Sequence, residues 1–164
     1  MRGGCSRAPE PFAAYRPSVT VDEPRTVVVK ASDALLGDPP RTEHVNVFAI
    51  AERPVTNEEY GRFRADHAPR DGAPVRGTSW ADAVAYCRWL TTSTDHIYRL
   101  PDEREWEKAA RAGLLEDVQP LEWTNSYAER GRVLRGGTDV AKRRFADKEL
   151  SDVGFRVVRG MTGR

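Results

Sequence analysis

The residues able to do chemistry in this chain of 164 residues are few and scattered. There are two cysteines, Cys5 and Cys87, and three histidines, His44, His67 and His96. The histidines are widely separated and show no HxxxH or HxxE spacing. A metal site needs about three converging ligands, so each histidine reads as an ordinary hydrogen-bonding or surface residue. Ser79, Ser93, Ser126 and Ser151 have no histidine beside them in sequence, so no catalytic triad is suggested. There is no GxSxG, P-loop or GxGxxG string. Glu58-Glu59 and Asp102-Glu103 fall where helices should begin, and there they complement the helix dipole. The one dense basic run is Lys142-Arg143-Arg144, followed by Phe145. Such a run can bind phosphate. Asp139, Asp147, Glu149 and Asp152 surround it, and no reading helix or aromatic platform accompanies it. Nucleic acid is therefore not the expected partner.

The chemistry needs a scaffold, and the composition is that of a globular one. Apolar residues make up 39% and charged residues 31%, with four Trp, five Tyr and five Phe. No apolar run approaches the roughly 20 residues of a membrane helix, so no membrane association is expected. The arginines near the start are not followed by an apolar stretch, and two cysteines cannot form a disulfide framework. Two free thiols in a reducing cytoplasm are the expectation. Net charge is +1, unevenly spread: residues 1–129 sum to −5 and residues 130–164 to +6. Either the two parts attract within the fold, or the basic part faces an anionic partner.

The elements that must position these residues can be read from local signals. Residues 1–24 hold Pro9, Pro11, Pro17 and Pro24 and read as an irregular leader, with room for a homodimer contact. Residues 25–160 read as a single domain and 161–164 as a tail. Thr26 to Lys30 and His44 to Ile50 read as strands, separated by a turn at Gly37, Pro39 and Pro40. Three helices follow. Thr56 with Glu59 forms a capping box, Ser79 to Asp82 opens the second helix, and Asp102 to Glu105 opens the third. Trp80, Val84, Cys87 and Leu90 form the apolar face of the second helix, and Trp106, Ala109 and Ala110 that of the third. Gly113 is the expected stop. Arg132 to Arg135 and Phe155 to Arg159 read as the last strands. Residues 138–153 read as a loop or short irregular helix.

Several strings occur in one order: Pro54-Val55-Thr56-Asn57; Pro74-Val75; Ser79-Trp80 with Ala85-Tyr86-Cys87-Arg88-Trp89-Leu90; Tyr98-Arg99-Leu100-Pro101; Glu105-Trp106-Glu107 with Ala109-Ala110-Arg111; Glu122-Trp123-Thr124; Arg132 to Gly137; and Gly154 to Arg159. Together, over about residues 35–160, they resemble the formylglycine-generating enzyme, or sulfatase-modifying factor, family. The resemblance implies an α+β fold of C-type-lectin-like kind: a small twisted antiparallel sheet, two to three helices and much irregular chain. Its terminal strands should pair, bringing residues 26–50 near 155–159. The shared blocks read mostly as scaffold. Arg99 is expected to form a bidentate ion pair with Glu103 or Glu107.

The departures from the family bear on function. Members that oxidise a cysteine to formylglycine bind copper with two cysteines between the RGG and GFR blocks. Here that stretch, Thr138 to Val153, has none. Neither Cys87, on an apolar helix face, nor Cys5 can replace the pair, so copper is not expected. Glu122 matches a calcium-ligand glutamate of the family, but the Gly-Asn that precedes it there is Val118-Gln119 here. Calcium wants six to eight oxygens, and Glu116, Asp117 and Glu122 could supply only some; otherwise Glu122 should pair with an arginine such as Arg135. Only Leu114 to Leu121 separate the third helix from Glu122-Trp123, where the family places several dozen residues that help shape the substrate groove.

The expectation is a degenerate, non-catalytic domain that binds a protein or a small anionic ligand through its late loops, with no cofactor predicted and calcium at Glu122 as the one metal left open. Tyr127, Arg130, Arg143, Arg144 and Phe145 are the expected contacts, since Tyr and Arg are enriched at binding hot spots. The alternative is a diverged metal-dependent oxidoreductase of the formylglycine-generating or sulfoxide-synthase type, with a partner subunit supplying the metal site.

Overall fold

A computed structural model describes residues 21–146, 150 and 152–161. Most of the leader, including Cys5, and residues 147–149 and 151 lie outside the described part. Among the described residues thirteen elements follow one another: β1 (Thr26–Val29), β2 (Ser32–Leu36), β3 (Arg41–Val45), β4 (Phe48–Ala51), α1 (Asn57–Phe63), α2 (Trp80–Ser93), β5 (Tyr98–Arg99), α3 (Glu103–Arg111), β6 (Leu121–Ala128), β7 (Gly131–Arg135), β8 (Arg144–Ala146), β9 (Val153–Gly154) and β10 (Val158–Arg159). The class is α+β, with two four-stranded sheets, ordered β1-β4-β10-β5 and β8-β7-β6-β9, and a separate β2-β3 hairpin. The first and last parts of the chain meet as expected: Val158 and Arg159 of β10 pair with Ile50 and Ala49 of β4.

The helices begin where their local chemistry dictates. Thr56 and Asp102 each close a capping box, with Glu59 and Glu105 reaching back to the cap backbone, and Ser79 caps α2 through Asp82 N–H. Each such cap satisfies backbone N–H groups that a helix leaves orphaned. Gly113, at φ +70, takes the left-handed turn that ends α3. Within α2 the buried stripe is Ala83, Tyr86, Cys87 and Leu90, while Trp80 and Val84 are half-buried. In α3, Trp106 and Ala109 are buried, with Glu105 and Glu107 beside them, and Ala110 is only half-buried.

The strands differ from the sequence expectation where pairing is non-local. Residues 44–50 are two strands, because β3 pairs with β2 whereas β4 lies between β1 and β10. Val47, at the break, is 44% exposed. Residues 155–159 contribute only Val158 and Arg159 to a ladder. Phe155, Arg156 and Val157 are fully buried, and single bonds are donated by Val55 N to Phe155 O and by Ala51 N to Val157 O. The stretch read as a loop contains β8, which pairs with β7, and β9, which runs parallel to β6.

A Cβ at Gly154 would collide with the Val75 carbonyl, so β9 can lie against that chain only with glycine there. The core is largely apolar, with an aromatic cluster of Tyr60, Phe63, Tyr86, Trp89 and Phe155 whose rings lie 5.3–6.2 Å apart. The described end of the leader is irregular: Val21 packs on this core, and Glu23 accepts from Tyr98 Oη and contacts His96 Nδ1.

Candidate functional site

The polar groups of the second sheet fall into two sets. One set is sealed inside. Glu122 and Arg156 are both 0% exposed. Arg156 Nε and Nη2 each donate to a Glu122 oxygen at 2.7 Å, and Trp106 Nε1 donates at 2.9 Å. Arg156 also donates to the carbonyls of Ala51, Glu52 and Glu116, tying the two sheets together. The fork satisfies the carboxylate as a cation would. Glu122 thus pairs with an arginine, as the alternative to a calcium role expected, but the arginine is Arg156 rather than Arg135. Glu116, an expected companion ligand, pairs instead with Arg53 at 2.6 Å. Among the described residues, no three His, Cys, Asp or Glu side chains converge to hold a metal.

Arg135 lies directly across the ladder from Glu122 but turns to other acids. Its Nη2 reaches Glu107 at 2.9 Å and Glu103 at 3.2 Å, and Nη1 caps the carbonyls of Val140 and Ala141. Glu107 also accepts from Gly37 N and Arg111 Nε, both at 2.8 Å. The expected partner of Arg99 is corrected too. It is Glu105, gripped through both oxygens at 2.6 and 2.7 Å. Two residues along a helix is a rotation of about 200°, so Glu105 faces β5 while Glu103 and Glu107 face β7.

Copper does not fit the described donors. The only described thiol, Cys87, is buried, and burial pushes it up to about 12. That favours an inert thiol over a ligating thiolate. The histidines are each engaged singly: His44 with Asp33, His67 with Asn57 and His96 with Glu23.

The second set is exposed and holds the late-loop residues. Tyr127 is 69% exposed, near the β6–β7 turn, and pairs across the ladder with Arg132. The Arg132 guanidinium lies 3.5 Å from the centre of the Trp80 ring and 5.3 Å from that of Tyr127. Trp80 is held in turn by its indole N–H, which donates to Thr124 O at 3.1 Å. On β8, Phe145 sits opposite Val133 and so on the other face of the sheet from Arg132. The guanidiniums of Arg130 and Arg143 both lie over Phe145, at 5.1 and 5.2 Å. Arg143 is also forked onto Glu103, at 2.6 and 2.8 Å. Arg144 sits opposite Leu134 and is exposed.

The five expected contacts therefore divide. Arg130, Arg143 and Phe145 come together, whereas Tyr127 belongs to a stack with Arg132 and Trp80. Those last two were read as scaffold from sequence. Neither the pairing of Arg132 with Tyr127, across a strand the sequence reading did not include and past a register shift in the ladder, nor the approach of Trp80 from α2 was legible.

The sulfatase-modifying factor enzyme 1-like domain family matches residues 11–139. The chain belongs to this family. It is 46% identical over 63 residues to the formylglycine-generating enzyme of Thermomonospora curvata, covering 38% of this chain and 18% of that protein. It is 48% identical over 85 residues to the inactive C-alpha-formylglycine-generating enzyme 2 of Bos taurus, covering 52% and 24%. The matched segments are thus under a quarter of these curated relatives' lengths. Among solved structures, CarF superposes with a TM-score of 0.70 at 19% identity, covering 85% of this chain and 99% of that one. Treponema denticola variable protein 1 gives 0.68 at 18%, covering 81% and 94%. At these identities the likeness is one of fold.

Proposed function

We propose that this domain is a non-catalytic binding module of the formylglycine-generating-enzyme type, presenting its late strands and turns to a protein or small anionic ligand. The observation that carries the reading is the contrast at β6–β8. The stretch where active relatives bear their copper cysteines has no thiol here, and the surface around it is built of arginines laid on aromatic rings. Rigid aromatic and arginine side chains suit recognition on a fixed scaffold. A relative of similar sequence that is named inactive is in keeping with this. The matched length is short, so the reading concerns this domain.

Two experiments test it. Purified protein is incubated with copper(I), oxygen and a cysteine-bearing sulfatase peptide, and the product is weighed. Unchanged peptide is expected. Conversion of the thiol to an aldehyde would replace binding by catalysis. In parallel, Arg143→Glu with Arg144→Glu should abolish capture of the natural partner while the thermal transition is retained. Unchanged capture removes this face.

A further inference from the structure

We infer that the Trp80–Arg132–Tyr127 stack is a recognition point for a carboxylate side chain of an acidic peptide segment. The inference rests on the binding-module reading and names the partner chemistry at one point of its late strands.

Arg132 differs from Arg135, Arg143 and Arg156 in having no carboxylate partner among the described residues, and from Arg130 and Arg144, which share that lack, in lying against a tryptophan at 3.5 Å. Arg135 is committed to Glu103 and Glu107, and Arg143 to Glu103. Arg156 is committed to Glu122. Arg132 makes no ion pair and no side-chain hydrogen bond among the described residues, and the residue across from it on β8 is Ala146, which brings no charge. What holds Arg132 is aromatic. Trp80 lies against the flat of the guanidinium, and the Trp80 ring is itself fixed by Thr124 O. Tyr127 approaches from across the ladder. Stacking engages the face of the guanidinium and leaves its in-plane N–H groups as donors in a fork, which matches a planar oxygen pair. A side chain already ordered by its rings loses less freedom when it binds. Exposed Tyr127 beside it supplies apolar area for the chain that carries the acid.

The occupant is a peptide rather than a nucleic acid on grounds of charge spacing. A nucleic acid presents a phosphate at every step and needs a continuous basic track. Here Glu129 and Asp139 interrupt the basic residues in sequence, and Glu103 neutralises Arg143. The Trp80 face on which a base would stack is taken by Arg132. One fork oriented by its rings, with Arg144 diagonal to it as a second cation, suits a discrete carboxylate.

The test uses the whole chain and a labelled octapeptide of alternating Glu and Gly, followed by fluorescence anisotropy at low salt. Saturable binding is expected, with none for the Gln-Gly octapeptide. Arg132→Gln should weaken binding roughly tenfold or more, as hot-spot arginines do. Arg132→Lys should weaken it comparably, because lysine keeps the charge and loses the stacked fork. Equal binding by Arg132→Lys and the unaltered chain overturns the inference, as does equal binding of the Gln-Gly peptide. Tighter binding of an eight-residue thymidine oligonucleotide overturns it in favour of phosphate. Failure of the Glu-Gly peptide to bind, with partner capture still lost in the Arg143→Glu, Arg144→Glu variant, overturns the carboxylate while sparing the binding module. Formylglycine formation removes the module reading itself.

Discussion

Arginines 135 and 132 sit on one strand, three residues apart, and are used in opposite ways. Arg135 is 2% exposed and satisfied mainly by carboxylates and carbonyls. Arg132 is half-exposed and held by rings. A carboxylate sealed around an arginine makes a fixed joint, since breaking one member strands the other charge away from water. An aromatic ring beneath an arginine orients it without consuming its donors. The same residue type thus builds the scaffold at one end of β7 and, toward the other, rests on rings with no ion pair among the described residues. Charge alone does not separate the two uses; burial and the identity of the partner do.

The comparison breaks first at its buried end. Glu122→Gln removes the charge that answers Arg156, both members being fully buried. A loss of roughly 3–5 kcal/mol is expected, read as a lower midpoint in urea unfolding. A shift under about 1 kcal/mol would mean that Arg156 is neutralised by something other than this pair. Arg135→Gln should cost less, because Glu107 keeps Arg111 and the Gly37 N–H. About 2–3 kcal/mol is expected on the same measurement, since one charged hydrogen bond of three is lost there.

Cys87 supplies a pH test of the same interior. Burial raises its thiol from the ordinary 9.0 to about 12, so the folded chain disfavours the thiolate. The stability this reflects is fully present below pH 9. It is lost as pH rises from 9 toward 12, because only the unfolded chain releases the proton there. The Tyr86 hydroxyl, raised by burial, acts in the same direction. Comparison of the unaltered chain with Cys87→Ala between pH 8 and 11 isolates the thiol: the variant should lose stability less steeply. Parallel curves would place Cys87 in contact with water.

How much of this was legible follows from the range of the forces involved. Helix starts were legible because a cap is local: Thr56 with Glu59, Ser79 with Asp82 and Asp102 with Glu105 each act within three residues. The family and its fold were legible because many short blocks kept one order. Pairing was less so. Nothing near Val45 announces that the chain changes sheets there, and β8 looks polar because only Phe145 and Ala146 are covered. Arg99 was correctly read as a fork, but its partner depended on which face of α3 turns toward β5. The candidate site was half legible. Arg143 and Phe145 stand close in sequence, whereas Arg130 joins them from across β7 and Trp80 reaches Arg132 from α2.

The Thr56 cap gives a middle rung between the two kinds of arginine. Its hydroxyl accepts from Glu59 N at 3.2 Å and its backbone N–H donates to Glu59 at 2.8 Å. Thr56→Ala should cost about 1 kcal/mol by thermal melting. A much larger loss would show that α1 is anchored chiefly through its cap rather than through Tyr60 in the aromatic cluster.

The smallest effect on stability is expected where the largest effect on binding is proposed. Arg132→Gln removes a half-exposed guanidinium that compensates no buried carboxylate among the described residues. What folding loses is the stacking on Trp80, worth about 0.5–1 kcal/mol at an exposed site. Nothing is left stranded, because the Trp80 indole N–H keeps Thr124 O and the glutamine amide can meet water. The urea midpoint should therefore move far less than for Glu122→Gln, with the slope unchanged. A loss of 3 kcal/mol or so would put Arg132 in the scaffold class with Arg135 and Arg156, and the two ends of β7 would no longer differ in kind.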